Sequence, residues 1–187
     1  MDKHTAHPQS AGFEPGSSVV YALHGKCTVV SVESRTIGSQ ELPFYKLEVQ
    51  KSALSRSTRQ EPAIWIPVAS AVERGVRAPL TKEDAENVLS ILMSREYYFP
   101  LNETWNVVQP KLEAAIRLEG GAGLAKVYSY LAVLKKRHVV PPSEITRFSE
   151  TVSKLMMREL TETLHRTPRS LDEQIQKGIR LKLAVSH

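Results

Sequence analysis

Cys27 follows His24 in "HGKC", and a thiol within reach of an imidazole is the pairing that a nucleophilic cysteine needs. Nothing else nearby supplies an activating group, so a small apolar residue filling a strand is the simpler reading of Cys27, and a turn residue that of His24. "HGKC" also holds a Gly-Lys pair. It lacks the earlier glycine and the following hydroxyl residue of a phosphate-cradling loop. No H-E-x-x-H pattern occurs, and the six histidines are scattered, with His4, His7 and His187 near the ends. A single cysteine excludes an internal disulfide framework and a cysteine-based zinc cluster. No catalytic constellation emerges, so the expectation is a protein that is not an enzyme and uses no cofactor or metal.

The remaining candidates suit binding. Arg35, Thr36 and Ile37 end a β-rich run just before the turn residues "GSQ". If Ile64 and Ile66 point into a core, Trp65 between them faces the other way, either to cover the domain or to meet a partner. "LKKRH", ending at His138, reads as a solvated helix end whose cations suit the helix dipole. Trp105 sits among Asn102, Glu103, Thr104 and Asn106, an unusually polar setting for a large aromatic. Two readings stay open for it: an anchor folded back on its own helices, or a wedge inserted at a base step in a minor groove. Lys111 and Arg147 are the candidate phosphate partners nearby.

Two kinds of element must position these residues. Up to about residue 78, short β-rich runs ("VVYALHG", "CTVVSVESRTI", "FYKLEV", "AIWIPV") are separated by turn residues. "FYKLEV" alternates as a half-buried strand does. Together they predict a small, strongly bent β-sheet or barrel, with "KSALSRSTRQEP", residues 51–62, as an exposed loop. Beyond "RGVRAPL" the period is helical. Thr81 with Asp84 predicts a capped helix whose buried face is Ala85, Val88, Leu89 and Leu92. A helix around Trp105 follows, with Asn102 or Thr104 able to cap it and Pro110 either kinking it or displacing its start to near Gln109. "EGGAG" separates it from a helix carrying Leu124, Val127, Tyr128, Leu131 and Leu134. Ser143 is expected to cap a helix along Ile145, Phe148, Val152, Leu155, Met156 and Leu160. Ser170 with Glu173 predicts a capping box for a last helix with Leu171 and Ile175. The fold class is therefore α+β in two domains: a mobile tail at 1–13, a bent β-domain at 14–77 and an all-α bundle of about five helices at 78–187.

The chain has 187 residues, 41% hydrophobic and 24% charged, enough for real cores and not a disordered composition. No apolar run is long enough for a bilayer, and "MDKHTAHPQSAG" has no apolar centre, so a cytoplasmic protein without membrane contact is expected. The net charge is +5, of which residues 81–187, with 16 basic and 13 acidic side chains, hold +3. Basicity spread so thinly suits a weak or assisted contact with a polyanion.

Taken in order, these motifs resemble the CarD/CdnL family of bacterial transcription regulators, from about Gly16 to Ile179. "GSSVVYALHGKCTVVSVESRTI" is similar to the family's opening, "WIPVASAVERGVR" to the segment that closes its N-terminal domain, and "LNETWNVVQPKLEAAI" to its N-W helix start, with "PPSE" following in the expected place. The resemblance implies a Tudor-like N-terminal domain of the SH3-like kind, a module shared with the transcription-repair coupling factor, that grips the β subunit of RNA polymerase. It implies a helical domain that binds promoter DNA and stabilises the open complex with a tryptophan at the upstream edge of the bubble. Carried over by position, Arg35, Thr36, Ile37 and Trp65 are the polymerase contacts, and Trp105, Asn106, Lys111 and Arg147 the DNA contacts. Asn106, Val107 and Val108 stand where family members often carry basic residues, so DNA binding by the free protein is expected to be weak. The protein would be a monomer, associated with the nucleoid through polymerase. A protein-only adaptor, whose helical bundle docks a second protein, is the alternative.

Overall fold

The computed structural model describes residues 12–50, 62–137 and 142–184. The chain is α+β, a five-stranded sheet followed in sequence by four helices, and it divides into two compact units, 1–76 and 77–187.

The sheet of the first unit has β1 (Ser18–Tyr21), β2 (Gly25–Ile37), β3 (Gln40–Val49), β4 (Ile64–Pro67) and β5 (Val76–Arg77), whose second residue opens the second unit, in the order β4-β3-β2-β1-β5. β1 through β4 pair antiparallel. β2 and β3 form a long hairpin closed by Gly38 and Ser39, with Ile37 opposite Gln40. Gly38 has φ 64°, which a glycine adopts freely at the first central position of a two-residue type II′ turn. The register skips a residue between Val29 and Ser31, a bulge that bends the hairpin. On one face Val19, Cys27, Val29, Tyr45, Leu47 and Ile66 join Ala71 and Val76 in the core. The alternation expected of "FYKLEV" thus holds for Tyr45 and Leu47, although Phe44 on the other face is also buried. Phe13, at the end of the stretch expected to be a tail, donates its backbone N–H to the Tyr45 hydroxyl at 3.0 Å and meets that ring edge to face.

The second unit holds α1 (Lys82–Met93), α2 (Trp105–Arg137), α3 (Ser143–Leu164) and α4 (Pro168–Ala184). α1 packs against α2 and α4, and α2 against α3. Thr81 caps α1 in a full capping box with Asp84, and the buried residues of α1 are Ala85, Val88, Leu89 and Leu92, as the period predicts. The Thr81 hydroxyl, aided by its backbone N–H, holds the Asp84 carboxyl below its usual range. Before α1, Arg77 makes a two-pronged ion pair with Glu159 of α3, both bonds 2.7 Å, and the same carboxylate accepts the Leu80 N–H at 3.0 Å.

Two helix starts differ from expectation, those of α3 and α4, and that of α2 decides between the two alternatives left open. α2 begins at Trp105, with the Val107 and Val108 N–H groups donating to the Thr104 carbonyl. It runs through Pro110 rather than starting near Gln109, because a proline near a helix start costs one hydrogen bond, here the one to the Asn106 carbonyl. α3 starts at Ser143 with Pro142 in the capping position and no side-chain cap. α4 starts at Pro168, a favoured first residue, and the Thr167 hydroxyl accepts the Ser170 N–H at 3.3 Å. Ser170 lies one turn too far in to cap; it accepts a bond from Arg166, while Glu173 pairs with Arg169. "EGGAG" is a break inside α2, where Gly120 leaves helical geometry at φ 58°, ψ −123°.

Candidate functional site

In the first unit the exposed outer stretch of the hairpin gathers the expected docking residues. Side chains of one parity on β2 and β3 fill the core, so those of the other parity, Glu33, Arg35 and Ile37 on β2 and Leu42 and Lys46 on β3, share the opposite face. Trp65, paired with Lys46, joins them there. The Arg35 guanidinium lies 3.4 Å from the centre of the Trp65 ring, and the Lys46 ammonium 5.7 Å from it. Stacking of this kind pins a long flexible side chain while leaving its N–H edge open to an acceptor. Thr36, of the opposite parity, and Ile37 lie at the hairpin end, with Ile37 57% exposed.

Among the described residues the hairpin is also open along one side. β1 covers β2 only through Thr28, with further backbone bonds from Val29 to Gly16 and Ser17. From Ser31 to Ile37, no strand among the described residues pairs with the β1 side of β2. An uncovered strand edge is a template for another strand.

In the second unit Trp105, Asn106 and Arg147 line one open groove of about 540 Å³, with Gln109, Glu144 and Phe148. The start of α2 gives the groove a helix N-terminus, whose partial positive charge suits a phosphate. Trp105 is neither buried nor free: it is half-buried, its ring edge to face with Phe148 of α3 at 5.6 Å. Lys111 does not line the groove. Its ammonium binds both oxygens of Glu103, at 2.7 and 2.8 Å, so a cation expected to meet phosphate is partnered within the chain. Lys135 and Lys136 of "LKKRH" line a different groove, with Tyr128, Glu150 and Lys154; His138 is outside the described residues. The expected loop at 51–62, apart from Pro62, and most of the expected tail lie outside them too.

Cys27 is buried in the core with its thiol toward the Gly25 carbonyl, and His24 is exposed and stacked on Tyr21 at 4.7 Å. Among the described residues no group of three or more His, Cys, Asp or Glu could hold a metal ion, and no helix is long and apolar enough to cross a membrane.

One unusual group was missed from sequence. Lys182 on α4 is 1% exposed, its ammonium bound to the Ser129 hydroxyl and 5.1 Å from the Tyr98 ring. Burial pushes the amine below its ordinary range, opposed in part by the charge of Glu96. The Tyr97 hydroxyl donates to the Lys182 carbonyl at 3.1 Å. The signal was positional: Lys182 continues the buried stripe of Leu171, Ile175 and Gly178.

No family model matches the chain, and no curated protein matches it.

Proposed function

We propose that the protein is a non-enzymatic transcription regulator of the CarD/CdnL kind. Its β-unit, read as a Tudor-like module, binds the β subunit of RNA polymerase through the open edge of β2 and the face bearing Arg35, Ile37 and Trp65, with Thr36 beside them. Its helical unit, which has five helical segments when the two halves of α2 are counted apart, sets Trp105 in the minor groove at the upstream edge of the melted promoter. The observation that carries this reading is a tryptophan held half out of the protein, braced by Phe148, in a groove that also holds Arg147 and a helix N-terminus. On this reading the protein acts in the cytoplasm at the nucleoid, brought there by polymerase.

The pairing of Lys111 with Glu103, and Glu144 in the groove, favour a second reading, a protein-only adaptor. A reconstituted open-complex lifetime assay separates the two. The regulator lengthens the lifetime, and Arg35→Glu abolishes both that effect and binding to the isolated β-subunit lobe. A lifetime unchanged by the wild-type protein removes the regulator reading.

A further inference from the structure

The uncovered edge of β2 is complementary to itself. Which of its residues offer backbone groups outward follows from the hairpin. In a two-residue hairpin the closing pair, here Ile37 and Gln40, exchanges hydrogen bonds, and pairs then alternate along the ladder. Ser34 opposite Pro43 is therefore a pair without such bonds, which also accommodates Pro43, a residue with no N–H to give. Thr36, Ser34 and Val32 consequently turn their N–H and C=O groups to the open side.

We infer that two copies of the chain pair antiparallel along this edge, about a two-fold axis through Ser34. In that register Ser34 meets Ser34 of the second copy and Val32 meets Thr36, in hydrogen-bonded pairs. Glu33 meets Arg35 twice, in the closer pairs without backbone bonds, where side chains interact most strongly. Side-chain parity allows only even shifts of register. Moving the axis to residue 33 sets Glu33 against Glu33, and moving it to residue 35 sets Arg35 against Arg35. Charge therefore selects the Ser34 register and penalises its two neighbours. Glu33 and Arg35 are both exposed; Trp65 lies on β4, across β3 from the open edge, so Arg35 leaves its stack on the indole to meet the carboxylate of the second copy. The other edge of the hairpin offers no equivalent, since Pro43 interrupts it and β4 covers β3 beyond that point.

A strip this short buries too little for a permanent dimer, so the association is weak and reversible. It occupies the edge assigned above to polymerase, so self-pairing would withhold the protein from polymerase at high concentration. The inference rests on the register of the edge and not on the polymerase reading, and its test uses the full chain alone.

Sedimentation equilibrium should show a monomer passing to a dimer as concentration rises. Glu33→Arg and Arg35→Glu each convert two opposite-charge pairs to like-charge pairs and should weaken association by on the order of tenfold or more. The double exchange, Glu33→Arg with Arg35→Glu, should restore it to near the wild-type value. Ser34→Cys should form an intermolecular disulfide under mild oxidation, because the directly opposed Cα atoms would lie about 5.5 Å apart. Thr36→Cys, displaced from the axis, should not. A monomer at every concentration overturns the inference. So does association that survives both single reversals, or cross-linking by Thr36→Cys as efficient as by Ser34→Cys.

Discussion

Trp105 meets Phe148 edge to face, ring centroids 5.6 Å apart and planes inclined by 73°. The contact joins the first residue of α2 to α3, so it both contributes to stability and fixes the direction of the indole. A fully buried aromatic costs about 3–5 kcal/mol when cut to alanine. An edge-to-face pair adds only about 0.5–1.5 kcal/mol beyond its area. For a half-buried ring, Trp105→Ala should therefore cost about 1–2 kcal/mol, leaving a folded protein with a modestly lowered melting temperature. Loss of a base-stacking ring worth about 1–3 kcal/mol should shorten the open complex several-fold or more. Phe148→Ala should weaken the same effect in part, through lost support for the indole. A Trp105→Ala protein with full promoter activity would exclude the wedge.

The Lys111–Glu103 pair bears on salt dependence. With Lys111 engaged, Arg147 is the candidate cation that lines the Trp105 groove, and the log–log salt slope of duplex DNA binding should be about −1 to −2. Glu103→Gln should release Lys111 and steepen the slope by about one. Equal slopes for the two proteins would show that Lys111 has no part in DNA binding.

Buried Lys182 sets a pH dependence. Its folded-state pKa is lowered, so the unfolded chain binds the extra proton more readily. Stability should rise with pH from the lowered folded value up to the ordinary lysine range, about 10.4, and be depressed below that window. Lys182→Met keeps the volume and removes both the charge and the alkaline rise. It should be neutral or stabilising near pH 7, less about 1 kcal/mol for the Ser129 hydroxyl left without its partner. Urea unfolding of both proteins at several pH values measures this; an unchanged alkaline slope in Lys182→Met would assign it to another group.

At Gly178, α4 packs closely against the backbone at the end of α1. A Cβ there would lie 2.5 Å from the Leu92 carbonyl oxygen and 2.9 Å from Met93 Cα, both backbone atoms with little freedom to yield. In an exposed helix Gly→Ala gains about 1 kcal/mol. Overpacking costs about 1–3 kcal/mol, and against backbone it should win, so Gly178→Ala should lower the stability of the helical unit. A raised melting temperature would mean that α4 shifts without cost.

Periodicity made much of this legible in advance. The buried face of α1 follows its apolar spacing and the Thr81–Asp84 signature marks a real cap, while the second half of α2 buries the expected Leu124, Val127, Tyr128, Leu131 and Leu134 and, beyond that stripe, Ser129, Tyr130 and Val133 as well. Ser143 and Ser170 were misread because a serine near a helix start can sit inside the first turn as readily as at its cap. In each case a neighbouring proline takes part in the start instead. Arg35 and Trp65 were both singled out, yet their stacking was not legible, since it depends on the bulge and bend of the hairpin. Lys182 was passed over because charge normally argues for solvent, and only three-dimensional packing supplies Ser129 and Tyr98 as neighbours. The pairing of Lys111 with Glu103, eight residues away, likewise exists only because the segment before α2 folds back along it.

The fork of Arg77 on Glu159 has a mechanical consequence. Any pull carried along the backbone from the first unit enters the second at Arg77, the first residue of that unit. There the load meets two bonds of 2.7 Å to α3, and then a third from Leu80, before it reaches the first turn of α1 at Lys82. Tension is thus shared with α3 from the outset, and α1 is spared being peeled away turn by turn. Glu159→Gln would keep the shape of the joint but weaken its charge-assisted grip, and under force α1 should then be the first element to give.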